Sequence, residues 1–219
     1  DLSMDDIIWT GPQPTVSELG ARCGISHTAP LAVLQEKLTL AIRKGRPVHF
    51  LPPYRADNKL KLSRWLGICP EAIADRISIE LAIAIVSLRD KKSDEEIREI
   101  EDACEIGYRM HTTAMKMCRP GARERDIAGA IEGIALEMGE GVSFHSIVTQ
   151  HGETLHNHGH DGILESGRML LVDAGAENLM NYCSDFTRSY PVNGRFTPMQ
   201  RDIYEIVLAA NAHAFEMAK

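Results

Sequence analysis

Asp173 and Asp185 are the side chains of this sequence whose type and spacing could do chemistry. The apolar run Met169–Val172 leads into Asp173, and Gly175 follows it. Tyr182 to Tyr190 reads as a return strand. A turn centred on Leu179 would make the two aspartates direct cross-strand partners, with Cβ atoms about 5 Å apart. Like charges that close repel, and burying both is costly unless one is protonated or a cation lies between them. A divalent metal meets that demand. A pair of hard oxygen donors suits manganese, magnesium, or zinc with added nitrogen ligands. Cys183 shares strand parity with both aspartates. Thiolate and paired carboxylates favour different metals, so Cys183 reads as a small packed residue. The plainer alternative has one aspartate capping a turn and the other pairing with Arg188. The position of Asp173 at the end of an apolar strand favours metal.

Histidines crowd the segment just before: His145, His151, His156, His158 and His160. His156, His158 and His160 could form a zinc site, because imidazole is a common zinc ligand. Gly159 and Gly162 signal a turn instead, which places His158 and His160 on a solvated loop. His156 follows Thr154 and Leu155, at the end of an expected strand that runs towards the aspartates. A histidine there could pass protons or polarise a carbonyl.

The elements that must hold these residues can be read from periodicity. Ser93 and Glu96 form a capping box, so a long helix is expected from Asp94 to about Lys116. Arg119–Ala122 is a turn, and Asp126 to Met138 a second amphipathic helix ended by Gly139 and Gly141. From Ser143 the pattern turns to strands. Thr197, Pro198 and Gln200 open a last helix. Its stripe Ile203, Val207, Ala210, Ala214, Met217 is expected to pack on a core. Before Arg89–Ser93 the chain alternates in an α/β manner. Ile7–Trp9 is expected to end a strand, and Thr15–Arg22 to form a short helix. Leu31–Lys44 should be a helix stopped by Gly45, Pro47–Leu51 a buried strand, and Leu60–Leu66 a helix. The apolar run Ile77–Val86 reads as core.

The 219 residues allow one large domain, or one domain and part of another. Apolar content of 44% supports a real core. A net charge of -7 argues against general nucleic-acid binding. No apolar run is long enough for a membrane span. Cys23, Cys69, Cys104, Cys118 and Cys183 are scattered and odd in number, which fits a reducing cytoplasm and no disulfide framework. The chain opens at Asp1 without methionine and closes at Lys219 inside a helical pattern, so both ends are expected to be cut.

Three stretches, Val172–Ala176, Ser184–Gly194 and Phe196–Leu208, together resemble the Xaa-Pro aminopeptidase (aminopeptidase P) family. This family belongs to the pita-bread metallopeptidases, with prolidase and methionine aminopeptidase as relatives. Ser146–Val148 with Thr154–His156, Lys92-Ser93 with Glu96-Ile97, and Asp5–Gly11 extend the resemblance over nearly the whole chain. It is strongest from Leu170 to Leu208.

The resemblance implies an α/β (α+β) fold. Residues 1–90 would be the C-terminal part of a creatinase-like, non-catalytic N-terminal domain. Residues 91–219 would be the first half of a pita-bread catalytic domain. The family holds two divalent metals, manganese by expectation with zinc or cobalt as alternatives, on two aspartates, one histidine and two glutamates. Asp173 would bind one metal and Asp185 would bridge both. His156 would contact the substrate and steady the tetrahedral intermediate. The implied reaction is hydrolysis of the N-terminal Xaa-Pro bond by a metal-bridging hydroxide, on peptides with proline in second position. The family pattern puts the remaining histidine and both glutamates beyond Lys219. The chain is therefore expected to hold two of five ligand residues, to bind metal weakly or not at all, and to cleave nothing by itself. The parent is expected to be a cytoplasmic homo-oligomer, a dimer or tetramer, without nucleic-acid or membrane partners. Prolidase is the nearest rival reading, and a non-catalytic pita-bread module that binds peptides or proteins is another. A creatinase-like hydrolase does not use the metal pair, and keeping both aspartates argues against it.

Overall fold

The computed structural model describes residues 3–218. The chain divides into two compact units, Asp1–Lys91 and Lys92–Lys219.

The first unit is helical. It holds α1 (Met4–Thr10), α2 (Val16–Arg22), α3 (Leu34–Arg43), α4 (Ala56–Leu66) and α5 (Ile79–Arg89). The Ile7–Trp9 segment lies in α1 and is not the expected strand end. Its helix is set locally: the Ser3 hydroxyl caps the Asp6 amide and the Asp6 carboxylate accepts from the Ser3 amide. Pro47–Leu51 forms no strand; the Ser78 amide donates to its Phe50 carbonyl at 3.1 Å. The Ile77–Val86 run is not core either. Within α5 no residue is buried, and Ile83 and Val86 are 61% and 62% exposed. Among the described residues of this unit, Gly20, Ile73 and Ser78 are buried.

The second unit is a helix pair on a small antiparallel sheet. The long helix α6 (Asp94–Met117) starts on the Ser93–Glu96 capping box, and α7 (Glu124–Met138) follows. On α6, Ala103, Ile106, Gly107, Met110, His111 and Ala114 are buried, the stripe of a helix with one face inward. Glu124, Ile127, Ala128, Ile131 and Ala135 do the same for α7. Five short strands complete the unit: β1 (Gly141–Val142), β2 (Ile147–Thr149), β3 (Met169–Ala174), β4 (Ala176–Glu177) and β5 (Phe186–Pro191). The sheet order is β2-β3-β5, all antiparallel, and β1 pairs with β4. Along β3 burial alternates. Leu170, Val172 and Ala174 enter the core with Ile106, Met110, Ile127 and Ile131, whereas Met169, Leu171 and Asp173 look the other way and are half-buried. Each fully buried isoleucine or leucine contributes about 1.5–3 kcal/mol.

The last helix, α8 (Pro198–Met217), opens on the expected Thr197–Gln200 box. Its apolar stripe does not pack as expected: α8 has no buried residue, and Ile203 and Val207 are 59% and 61% exposed. Gln200 Nε2 ties its start to the Gly167 carbonyl at 2.9 Å.

The strand pairing has one register throughout. Asp173 faces Thr187, Ala174 faces Phe186, Glu177 bridges Cys183, and the Asn178 amide donates to the Tyr182 carbonyl. Every pair is centred on Met180, one residue past the expected centre. The turn is closed by Asn178, which is 1% exposed. Its Oδ1 accepts from the Met180 and Tyr182 amides, both at 3.0 Å. Its Nδ2 faces the Glu99 carbonyl oxygen, Glu99 Oε2 and Asp102 Oδ2 on α6, at 3.2, 2.8 and 3.1 Å. Asn181 takes the left-handed conformation that the turn requires (φ 62°).

Beyond Ala174 the hairpin is pressed against itself at Gly175. A Cβ there would overlap the Ser184 carbonyl oxygen, which also accepts from Ser143 Oγ at 2.8 Å. Gly175→Ala is therefore expected to destabilise the second unit by about 1–3 kcal/mol, the usual range for overpacking. Urea unfolding followed by circular dichroism checks this; an unchanged midpoint would show that the strands can separate freely.

Candidate metal centre

The register decides where the aspartates stand. Asp173 and Asp185 are not direct partners. Asp173 faces Thr187 on β5 and Ile147 on β2, and the same register puts Asp185 opposite Gly175. The shift is by two residues, so parity is kept: Asp173, Asp185 and Thr187 share one side of the sheet, away from α6 and α7. The aspartates are diagonal neighbours, a relation of about 7–8 Å instead of about 5 Å. The recorded backbone bonds between these strands, Val192 to Arg168, Ser184 to Ala176 and Asn178 to Tyr182, all join even-numbered residues. By the alternation of antiparallel pairs, Asp173 and Thr187 form a non-hydrogen-bonded pair, the kind with the closest side chains. Thr187 Oγ1 donates to Asp173 Oδ1 at 2.7 Å.

Asp173 is half-buried and Asp185 is exposed. Arg188 does not pair with either one as the plainer alternative required. It donates to the Thr187 carbonyl and lies 5.6 Å from the centre of the Phe186 ring. Cys183 is exposed and not packed as expected: bridged to Glu177, it stands three residues from the centre of the turn. Beside Thr187 an open apolar groove of about 740 Å³ runs between β5 and α8. Met169, Ser189, Met199, Ile203 and Tyr204 help to line it.

His156 does not end a strand. Residues 152–156 form a turn, and the β2 strand already stops at Thr149. The loop from Gln150 to Glu165 is fastened at its base. Buried Glu124 accepts from the Gln150 and Gly162 amides at 2.8 and 3.0 Å, and the Gln150 side chain bonds the Ile163 carbonyl and the Glu165 amide. On this loop the His156 and His158 rings stack at 6.2 Å. His145 meets His158 edge-on at 4.6 Å and lies tilted against His160 at 5.9 Å. His151 bonds Glu153 instead, Nδ1 to Oε1 at 2.9 Å. Among the described residues no three His, Cys, Asp or Glu side chains are arranged to hold a metal ion. The donors present are the two carboxylates, and their hard oxygens suit a divalent cation. A full shell for magnesium or manganese takes about six such ligands, so these two supply part of one.

Sequence reasoning missed His111. It is 5% exposed, and its Nε2 lies 3.2 Å from the Ala174 carbonyl oxygen, where the ring N–H donates. Its edge meets the Phe186 ring at 6.0 Å. The signal was available: His111 falls on the buried stripe of α6, where an imidazole among apolar neighbours needs a partner.

The comparisons with known proteins bear on this arrangement. The sequence profile of metallopeptidase family M24 matches residues 98–219, which include both aspartates, His111 and His156. The chain belongs to metallopeptidase family M24. It is similar to a probable Xaa-Pro aminopeptidase pepP of Emericella nidulans, 36% identical over all of this chain and 47% of that protein. It is also similar to the Xaa-Pro aminopeptidase of Escherichia coli K12, 39% identical over 53% of this chain and 27% of the relative. Among solved structures, Pseudomonas aeruginosa aminopeptidase PepP aligns with a TM-score of 0.79 at 27% identity, over 98% of this chain and 50% of that one. Pyrococcus furiosus prolidase aligns with a TM-score of 0.52 at 32% identity, over 58% and 38%. The chain thus spans between 27% and 47% of these curated relatives. No helix among the described residues is long and apolar enough to cross a membrane.

Burial pushes the His111 imidazole below its ordinary pKa, while the Ala174 carbonyl, the Phe186 backbone and Asp173 pull it back up and Arg188 lowers it further. The folded state therefore favours neutral His111, and the unfolded chain takes the proton first. Stability from this group is complete above about pH 6.5 and is lost as pH falls from there through the folded value. Thermal melts between pH 7.5 and 5.5 should fall more steeply for wild type than for His111→Gln. Parallel curves would show that His111 does not titrate in this range.

Proposed function

We propose that this chain is part of a metalloaminopeptidase that hydrolyses the N-terminal Xaa-Pro bond of peptides. The observation that carries this reading is the common face of Asp173 and Asp185, set by the Met180-centred register within the M24 segment. The Xaa-Pro aminopeptidases among its relatives support the substrate class.

In this reading Asp173 and Asp185 hold a pair of divalent metal ions, manganese by expectation, together with donors from outside the described set. When bound, the metals would supply an activated water and positive charge for the developing oxyanion. The chain's own residues prepare the place. Thr187 holds one oxygen of Asp173 by a hydrogen bond, which favours one orientation of the carboxylate. The exposed His156 is free to meet the substrate and to carry or donate a proton near the scissile carbonyl. The 219-residue chain, with two carboxylates and no group of three metal-binding side chains among its described residues, is inactive by itself.

Prolidase is the second reading, favoured by the 32% identity to the Pyrococcus furiosus enzyme. The test takes two forms of the protein. The 219-residue chain, purified free of proteases and supplied with manganese, should leave Xaa-Pro tripeptides uncut. Steady cleavage would remove the need for further ligands. A longer protein carrying this chain should cut Xaa-Pro tripeptides faster than Xaa-Pro dipeptides and Xaa-Ala tripeptides. Asp185→Ala in it should lower kcat by at least about a hundredfold, since loss of a metal's charge removes several kcal/mol from transition-state stabilisation. Preference for dipeptides would assign prolidase, and an unaffected Asp185→Ala variant would remove Asp185 from the mechanism.

A further inference from the structure

We propose that His111 is a positioning residue for the Asp173–Asp185 pair, gripping the two residues that follow the aspartates and face each other across the hairpin. Those residues are Ala174 and Phe186, direct partners between β3 and β5. By the even-numbered alternation they are a hydrogen-bonded pair, so the Ala174 carbonyl oxygen accepts both from the Phe186 amide and from His111 Nε2. The His111 and Phe186 rings also meet nearly at right angles, with centroids 6.0 Å apart. One imidazole therefore fixes both strands at the step where each leaves its carboxylate.

The helix around His111 is shaped for this contact. Gly107, one turn earlier, has no side chain to keep the strand away. A Cβ there would lie 2.8 Å from Phe186 Cε2 and 2.8 Å from Ser184 Oγ. Ser184 in turn accepts from the Ala176 amide at 3.1 Å. Gly107 and His111 thus form a seat on α6 for Ser184–Phe186, with Asp185 in the middle facing away from the helix.

Packing alone does not account for an imidazole here. The neighbours on the stripe are Met110 and Ala114, and a leucine would fill the space without polar atoms. Histidine instead leaves Nδ1 buried without a hydrogen-bond partner in the structure. An orphaned ring nitrogen costs stability, and the hydrogen bond to Ala174 is what this sequence obtains in return. Such outer contacts orient metal-binding side chains, and their loss typically weakens binding about 10–100-fold.

This inference rests on the proposed metal reading, and one experiment separates the two. The 219-residue chain is labelled with 15N and compared as wild type, His111→Leu, His111→Gln and Asp185→Ala. Amide exchange at Phe186 reports the clamp with no metal present. Paramagnetic broadening by manganese at the Asp173 and Asp185 amides reports the site. His111→Leu should speed exchange at Phe186 and raise the manganese midpoint by about tenfold or more. His111→Gln, which can still donate from its terminal amide, should restore both towards wild type. Wild-type values of both readouts in the leucine variant would overturn the clamp, and so would failure of glutamine to restore them. A leucine variant with a lower melting temperature but an unshifted manganese midpoint would reduce His111 to packing. Should the leucine variant not fold, His111→Asn, too short to reach Ala174, takes its place. Manganese that broadens neither aspartate, in this chain or in a longer protein carrying it, would sink the metal reading, and the exchange data would still judge the clamp.

Discussion

The second unit depends on one backbone register, the pairing of β3 with β5 about Met180. Strand pairing has a period of two, so a slip by one residue would turn Asp173 or Asp185 to the opposite side of the sheet. The turn sequence alone does not fix the count. Asn178 does so from within: its carbonyl oxygen holds two amides of the turn while its amide reaches Glu99 and Asp102 on α6. Tyr182 adds a bond to Glu96 at 3.1 Å. The first turns of α6 therefore act as the gauge against which the hairpin is measured.

Much of this unit was legible locally. The boxes Ser93–Glu96 and Thr197–Gln200 involve residues three apart, and both helices begin where those residues say. Strand parity was legible too, because alternation survives any shift by two. The register centre was not, since Asn178 is decided by partners on α6 that lie about eighty residues earlier. The same distinction explains Ile7–Trp9. Its β-branched and aromatic residues suggested a strand, but the Ser3–Asp6 box next to it imposes a helix. His156 was expected to end a strand because Thr154 and Leu155 precede it. In the structure the loop takes its shape from Glu124 and Gln150, which bind its two ends together.

Apolar periodicity proved a guide to helix formation more than to burial. The α5 and α8 segments are helical, yet neither contains a buried residue. A stripe says that a face could be covered; it does not supply the covering group. The contrast with α6 is instructive, since its stripe meets β3 and α7 and includes two positions, Gly107 and His111, that ordinary core composition would not demand.

The bond from Thr187 to Asp173 has a further consequence for coordination. One oxygen of that carboxylate is already an acceptor before any cation arrives, so the two oxygens are inequivalent. A chelating, two-oxygen grip would have to share Oδ1 with the hydroxyl or displace it, at a net cost of about 0.5–1.5 kcal/mol. Single-oxygen ligation through Oδ2 avoids that loss. In the proposed metal reading the threonine would thereby bias the denticity of its neighbour.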